Sequence, residues 1–388
     1  MKILQIFSRY GEYGGEEGSV YRIRDTIRKA HTVDTFYAST SEWVTKNKGR
    51  PIHALRESLS NPAVDKSLEL TQKENKYDFW LVHNVFPALS PSVYSSAFRL
   101  GVPVVHYLHS YRHFCVNGFF LNHGTPCTKC AGGNFLLAFL TKCWRNSRIQ
   151  SGVMGCVLAR TQSMGIFEKV AAWIAISHRQ KEIYAQWGVP ADRIHVAHHF
   201  YNAASPPPAF STSPRALFIG RLSPEKGVDH LLQAWAQVTT MGASLSIVGD
   251  GPERPRLEEL TRQLSLKGVH FHGFLEKSAQ ADIWAKSMVT IVPSIWEEPF
   301  GMVVLESWAR KRPVIAHQIG ALPELLTEGV TGHLVPPNSP EHLARQIDFA
   351  LQQPEHTQTM GQNGYNDLHT RFSEDVWTKR IDEILSGF

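Results

Sequence analysis

The chain has 388 residues, 43% of them hydrophobic, and a formal net charge of +5. Two domains are expected, because a single core rarely serves a chain of this length. No run of 18 or more apolar residues occurs, which excludes a membrane-spanning helix. Residues 1–10 resemble a strand before a Gly-rich loop rather than a signal peptide, so a cytoplasmic protein is predicted.

In the first half of the chain, apolar runs at 2–7, 78–84, 103–109 and 171–177 alternate with helical patterns. Such an alternation is typical of a parallel sheet covered by helices on both faces. Gly14 and Gly15 lie in the loop after the first run, where glycine allows close backbone approach. The G-x-G-x-x-G pattern of dinucleotide-binding proteins is absent, which argues against NAD.

The charge is unevenly distributed. Residues 1–200 contain 24 basic and 14 acidic residues, whereas the rest contain 16 and 21. No acidic residue occurs between Asp78 and Glu168, and basic residues there alternate with the apolar run 135–140 and with Trp144. This pattern predicts attraction to an anionic membrane surface or a phosphorylated acceptor. A solvated basic face is the alternative, and nucleic acid is a weaker one, because no known binding module is recognisable.

Four cysteines fall in a segment, 110–150, that is predicted to be an insertion in the first domain. Their spacing is C-x11-C-x2-C-x12-C, at Cys115, Cys127, Cys130 and Cys143. This spacing suits a structural zinc site, and a cytosolic location disfavours disulfides. Reduced, partly buried thiols are the alternative. The fifth cysteine, Cys156, is predicted to be a small core residue.

The pattern restarts after a Pro-rich hinge at 203–212. Apolar runs near 216–220, 244–248, 269–271, 290–293 and 313–317 predict a second parallel sheet, and 372–386 predicts an amphipathic helix. The predicted domains are 1–203 and 204–371, followed by a helix at 372–388. Together they predict an α/β protein with two facing doubly wound units, whose strands would end at a shared cleft.

Charged and flexible residues follow the strands of the second unit. Arg221 and Lys226 lie after the strand at 216–220, and a planar guanidinium with a compact ammonium suits a diphosphate. An exposed turn with incidental charges is the alternative. Gly249 and Gly251 follow the strand at 244–248 and would allow another group to approach the backbone closely, although such turns are common.

The segment 290–306, TIVPSIWEEPFGMVVLE, is the most informative part of the chain. A buried strand leads to a loop with Glu298, and a helix that carries Glu306 is predicted to begin near Gly301. The amides of Met302 and Val303 at the helix start would favour an anion. Carboxylates would repel a phosphate but accept hydroxyl donors, and a ligand with both diphosphate and hydroxyls is a nucleotide sugar.

This segment, with 218–235 and 313–337, resembles retaining family 4 glycosyltransferases of the bacterial polysaccharide type, which have the GT-B fold and a Glu-x7-Glu signature. The resemblance implies transfer of a hexose, of the glucose type, from a UDP-sugar to a hydroxyl of a lipid-linked or polysaccharide precursor. The protein would then work at the inner face of the cell membrane. No cofactor is expected, because Arg221, Lys226 and helix amides can neutralise the diphosphate without a catalytic metal.

The resemblance also implies residue roles. Arg221 and Lys226 would stabilise the leaving diphosphate, Glu298 and the amides near Phe300 would face the donor sugar, and Glu306 would bind the ribose hydroxyls. Further expected contacts of the donor are Gly14, Gly15, Gly249, Gly251, Phe274, Leu275, Gly301, Met302 and Val303. Phe274 and Leu275 would clasp the base, with an ordinary core role as their alternative.

His109, at the end of the strand 103–109, corresponds to a family histidine near the sugar ring and is preferred to His83, His106 and His113. Ser110 stands where the family often has aspartate. The resemblance further implies that the C-terminal helix crosses back to the first domain. Two other functions stay open: a sugar-nucleotide epimerase or hydrolase on the same scaffold, and a non-catalytic sugar-nucleotide-binding subunit.

Overall fold

The computed structural model describes residues 1–9, 15–202 and 206–388. The chain divides into two compact units. The first comprises Met1–Asn122, Cys127–His198 and Thr378–Phe388, and the second comprises His123–Pro126 and His199–Trp377. Gly14 and the predicted domain boundary at 203–204 lie outside the described residues.

The first unit is built on a parallel sheet with the strand order β2-β1-β3-β4-β7-β8. The strands in the first half of the chain are β1 (Lys2–Arg9), β2 (Thr32–Ser39), β3 (Phe79–Val82), β4 (Val104–Tyr107), β5 (Leu121–Asn122), β6 (Thr125–Pro126), β7 (Ala172–Ala175) and β8 (Ile194–Val196). Residues of β3, β4 and β7 are all buried, as expected for strands covered on both faces.

Helices separate these strands. They are α1 (Gly15–Ile27), α2 (Thr40–Lys46), α3 (Pro51–Leu59), α4 (Pro62–Asn75), α5 (Ser92–Leu100), α6 (Leu136–Leu140), α7 (Arg148–Ser163), α8 (Ile166–Lys169) and α9 (His178–Gln186). Local sequence sets several ends: Asn61 accepts a hydrogen bond from the Val64 amide at the start of α4. Gly101, with φ 67°, ends α5.

The second unit has a parallel sheet with the order β11-β10-β9-β12-β13-β14. Its strands are β9 (Arg215–Ile219), β10 (Ser244–Val248), β11 (Val269–Gly273), β12 (Val289–Val292), β13 (Val314–His317) and β14 (Gly332–Val335). The remaining helices are α10 (Val228–Trp235), α11 (Arg254–Gln263), α12 (Ala281–Lys286), α13 (Met302–Trp308), α14 (Leu322–Leu325), α15 (Pro340–Gln352), α16 (Pro354–Arg371) and α17 (Glu374–Leu385).

The predicted α/β class with two parallel sheets is confirmed. Sequence patterns missed β2, β8 and β14, which lie at sheet edges. Edge strands are less buried, so their apolar pattern is weaker: most residues of β2 are partly exposed. No helix within the described ranges is both long and apolar enough to cross a membrane.

The end of the chain packs within the first unit. The Arg380 guanidinium donates to the Val196 carbonyl at 2.9 Å, and Asp382 lies 3.5 Å from the ring of His31. The ring of Phe388 lies 6.2 Å from that of Phe79. These contacts attach the second half of α17 to the sheet that begins the chain.

Candidate functional site

The loop after β9 carries Arg221 and Lys226. Arg221 is exposed, and Lys226 ends a short 3-10 turn, Pro224–Lys226. The next residue, Gly227, has φ 62°, and a Cβ there would lie 2.1 Å from the Pro293 carbonyl oxygen. Only glycine fits this approach. The loops after β9 and β12 therefore touch, and this contact places Lys226 beside Glu298.

Glu298 is the centre of a buried polar cluster. Its side-chain Oε2 accepts hydrogen bonds from Lys226 Nζ, Ser294 Oγ and Trp296 Nε1, each at 2.9 Å. Glu298 is only 7% exposed, and the Lys226 ammonium also lies 5.2 Å from the centre of the Trp296 ring. Charged hydrogen bonds in such surroundings are strong and hold both side chains in one geometry.

The residues near the start of α13 fall into two groups. Phe300 is buried and packs edge-on against His199 and Phe372, so only its backbone could meet a ligand. Met302, Val303 and Glu306 are half-buried. The helix begins at Met302, close to the predicted position.

Gly301, which precedes α13, has φ 107°. A Cβ there would lie 2.8 Å from a methyl group of Leu322. The positive φ therefore favours glycine at this position, and the methyl group of Leu322 would have to shift to admit a side chain.

Gly249 and Gly251 are glycines because the backbone of the β9 loop passes beside them. A Cβ on Gly249 would lie 1.8 Å from the Gly220 oxygen, and one on Gly251 would lie 2.3 Å from the Leu222 oxygen. The amide of Leu222 also donates to the Asp250 carbonyl at 2.9 Å. The close approach predicted at this turn is therefore one between two protein loops.

Phe274 and Leu275 follow β11 and differ in their surroundings. The side chain of Phe274 is 70% exposed, so the alternative of an ordinary core residue is wrong for it. Leu275 packs against the buried residues Leu217, Val248 and Trp284, as that alternative predicts. Only Phe274 presents an aromatic face to solvent here.

In the first unit, His109 follows β4 and is half-buried. Its Nε2 lies 2.9 Å from Nδ1 of His83, and desolvation lowers the pKa of His109 to about 3. His83 in turn lies 2.8 Å from the amide nitrogen of Gln5. Sequence reasoning missed Gln5 and ranked His83 below His109. The sequence did contain a signal for Gln5: it is a glutamine inside the apolar strand β1, and a buried side-chain amide needs hydrogen-bond partners.

Gly15 begins α1, and a Cβ there would meet no atom within 4 Å. Its φ is not in the left-handed region. Packing therefore does not require glycine at position 15. The other glycine of the predicted loop, Gly14, is outside the described part of the chain.

The four cysteines of the predicted insertion are free thiols. Asn117 lies between two of them: Cys115 Sγ donates to Asn117 Oδ1 at 3.0 Å, and Asn117 Nδ2 donates to Cys143 Sγ at 3.3 Å. Burial, followed by the nearby thiols, raises the pKa of Cys130 to about 11 and that of Cys143 to about 12. Within the residues that the structure describes, no three of these sulfurs lie within 4.8 Å of one another.

Two family models match the chain. Residues 13–205 match glycosyltransferase family 4, and residues 203–367 match glycosyl transferases group 1. Together they cover both units.

The chain spans about two fifths or less of the length of two curated relatives that it matches. An alpha-D-kanosaminyltransferase from Streptomyces kanamyceticus is 33% identical over 153 residues, 39% of this chain and 39% of its own. A D-inositol 3-phosphate glycosyltransferase from Streptomyces griseus is 34% identical over 157 residues, 37% of this chain and 33% of its own.

Among solved structures, HepE from Anabaena in complex with UDP and glucose has a TM-score of 0.72 and 21% identity, with all of both chains covered. This likeness concerns the fold. With the two family models, it gives the assignment: the chain belongs to glycosyltransferase family 4 and has the GT-B fold.

Proposed function

We propose that this protein transfers a hexose, of the glucose type, from a UDP-sugar to an acceptor hydroxyl with retention of configuration and without a catalytic metal. The observation that carries the proposal is the Lys226–Glu298 pair. The Lys226 ammonium, fixed in place by Glu298, suits a leaving diphosphate. The buried Glu298 carboxylate can accept a hydrogen bond from a sugar hydroxyl at its Oε1. UDP is favoured because HepE, which has the same fold, was solved with UDP and glucose.

The reaction needs no covalent intermediate with the protein. The acceptor oxygen forms a bond to the anomeric carbon while the bond from that carbon to the β-phosphate oxygen breaks. The acceptor proton passes to the departing phosphate. Lys226 and Arg221 stabilise the charge that develops on the diphosphate, and preorganised charges of this kind supply much of an enzyme's rate enhancement. Glu306, Phe274, Leu275 and the backbone of residues 300–303 remain the proposed contacts of the nucleotide and sugar, with Gly249 and Gly251 shaping the turn beside them.

The test is nucleotide release by the purified protein from UDP-, GDP- and ADP-sugars, with product analysis. Slow release of UDP and free hexose from one donor supports a transferase acting on water in place of its acceptor, whereas fast release of the same products would indicate a hydrolase. A changed sugar still attached to the nucleotide would indicate an epimerase. Binding without release from any donor would indicate a non-catalytic subunit.

The acceptor is proposed to lie at an anionic membrane surface, as in the assembly of lipid-linked saccharides. Leu136 and Leu140 on α6 and Ile149 on α7 are 64%, 55% and 76% exposed. Basic residues next to them, Lys142, Arg145 and Arg148, are also exposed. Apolar side chains surrounded by cations are the composition that binds the headgroup region of an anionic bilayer.

Vesicle sedimentation tests this surface. The protein is expected to sediment with vesicles of phosphatidylglycerol and phosphatidylcholine, and much less with phosphatidylcholine alone. The double variant Leu136→Ser/Leu140→Ser should reduce binding about 100-fold, because each lost leucine removes roughly 1.5 kcal/mol of apolar burial and the two together about 3 kcal/mol. Met241→Ser, at a 93% exposed position of the second unit, is the matched control. Equal binding by both variants would exclude the two leucines from the membrane contact, and no sedimentation with either kind of vesicle would favour a merely solvated basic face.

A structural zinc at Cys115, Cys127, Cys130 and Cys143 is part of the proposal. After burial, the neighbouring thiols raise the pKa of Cys130 and that of Cys143, and a bound dication would reverse this effect. Burial raises the pKa of Cys115, and the backbone amides of residues 117–120 offset part of this rise by hydrogen-bonding to its Sγ. Zinc would draw the four sulfurs together into a tetrahedral set that holds the insertion.

Metal analysis by mass spectrometry should therefore find about one zinc per chain after purification. Cys127→Ser/Cys130→Ser should lose the metal and melt at a lower temperature. The control is Cys156→Ser, because Cys156 is exposed, contrary to the predicted core position, and lies outside the group. Protein without zinc, whose melting temperature does not change when zinc is added, would contradict the site.

A further inference from the structure

A line of hydrogen bonds crosses four neighbouring strands of the first unit. Tyr37 on β2 donates its hydroxyl proton to Gln5 Oε1 on β1 at 2.6 Å. Gln5 Nε2 lies 2.8 Å from Nε2 of His83, after β3, and Nδ1 of His83 lies 2.9 Å from Nε2 of His109, after β4. Gln5 is fully buried and His83 is 3% exposed. The line follows the strand order β2-β1-β3-β4.

The orientation of the Gln5 amide is set from both sides. Its Nε2 lies 3.2 Å from the carbonyl oxygen of Val20, which can only accept, so the amino group must point there. Burial raises the pKa of Tyr37 to about 12, so its hydroxyl keeps the proton that it donates to Oε1. The second amino hydrogen of Gln5 then points to His83.

The tautomers of both histidines follow. An amino group can only donate, so Nε2 of His83 accepts, and the proton of that ring is on Nδ1. A doubly protonated His83 would place two donors face to face. Since His83 Nδ1 donates to His109 Nε2, that nitrogen also accepts, and the proton of the neutral His109 ring is on its Nδ1. The Tyr107 ring stacks on His109 at 5.3 Å and restricts its rotation.

We infer that Gln5 and His83 are positioning residues that hold His109 as a neutral hydrogen-bond donor, with its proton on Nδ1, for the nucleotide-sugar donor. This inference rests on the proposed function for the identity of the ligand. It gives His109 a definite chemistry: the ring donates to an oxygen of the sugar or diphosphate. It cannot serve as the base for the acceptor hydroxyl, because its lone pair is engaged by His83.

The tautomers can be measured in the unmodified protein by long-range proton–nitrogen NMR with ¹⁵N-labelled histidine. His83→Asn and His109→Asn assign the two rings by loss of their signals. Both are expected as Nδ1–H tautomers between pH 5 and pH 8. A proton on Nε2 of His109, or protonation of His109 near its usual pKa of about 6.5, would overturn the inference whatever the activity.

The second experiment replaces Gln5 with glutamate. An ionised carboxylate can only accept, so Nε2 of His83 must carry a proton, and at alkaline pH, where His83 has no second proton on Nδ1, His109 must donate back to His83. We expect about a 100-fold lower kcat for release from the UDP-sugar, with a smaller change in KM, and, at alkaline pH, a His109 proton on Nε2. Gln5→Met removes the donor without a charge and should also lower kcat.

Gln72→Glu is the matched control. Gln72 donates to the Tyr77 carbonyl at 3.1 Å and accepts from Trp80 Nε1 at 2.9 Å, so it makes similar bonds elsewhere in the same unit. Gln5→Glu and Gln5→Met that fold and keep the kcat of this control would refute a positioning role. If the unmodified protein releases nucleotide from no donor, the proposed function fails, and the NMR result still decides whether Gln5 sets the tautomers.

Discussion

Replacing Lys226 with alanine is expected to lower turnover with the UDP-sugar by about 100- to 1000-fold, equivalent to about 3–4 kcal/mol of lost transition-state stabilisation. In the proposed reaction, Lys226 supplies a fixed positive charge where the diphosphate leaves. Its ammonium is held by Glu298 and lies over the Trp296 ring, so little reorganisation is needed during the reaction. Nucleotide release, measured under saturating donor, gives the rate.

The effect on folding should be smaller than the effect on rate. Glu298 keeps its bonds from Ser294 and Trp296 in the variant, and the Lys226 side chain is 27% exposed, so water can replace part of the lost partner. Lys286→Ala, which breaks an exposed ion pair with Asp282, is the matched control and should keep normal turnover. Near-normal turnover of Lys226→Ala would refute its role in the departure of the diphosphate.

Gly249→Ala is expected to destabilise the protein by about 3 kcal/mol or more. Part of the cost is the positive φ of 138°, a region populated almost only by glycine, where an L-residue is strained by roughly 1–3 kcal/mol. The rest is overlap with the Gly220 carbonyl, since a Cβ would lie 1.8 Å from it and overpacking costs about 1–3 kcal/mol. Urea unfolding, followed by the fluorescence of buried tryptophans, measures the change.

Gly242→Ala separates the two contributions. Gly242 has φ 71°, but a Cβ there would meet no atom within 4 Å, so only the conformational cost of about 1–2 kcal/mol applies. If both variants lose the same stability, the contact between the loops after β9 and β10 does not explain the glycine. A loss in Gly249→Ala that exceeds the loss in Gly242→Ala by more than about 1 kcal/mol, the difference expected from φ alone, would show that the contact does.

Much of the fold could be predicted because the signals are local. Interior strands such as β3, β4 and β12 are buried on both faces and appear as short apolar runs. The loop residues Arg221, Lys226 and Glu298 follow such runs directly. The edge strands β2 and β8, by contrast, are partly exposed, and their weaker apolar pattern was missed for this reason. The edge strand β14 was missed as well, although three of its four residues are buried.

The sequence by itself determined the two parallel sheets, the family and the chemical types in the candidate site, because periodicity and motif spacing depend on neighbours in the chain. Only the tertiary structure decided which groups meet. Lys226 reaches Glu298 because Gly227 passes the carbonyl of Pro293, a contact across 66 positions that no local pattern encodes.

The same holds for the line from Gln5 to His109. Each residue lies on a different strand or just after it, and the direction of the hydrogen bonds is set by a carbonyl on α1 that only the folded packing brings near. The type of a residue determines which hydrogen bonds its side chain can donate or accept, and the tertiary structure determines which partners lie within reach.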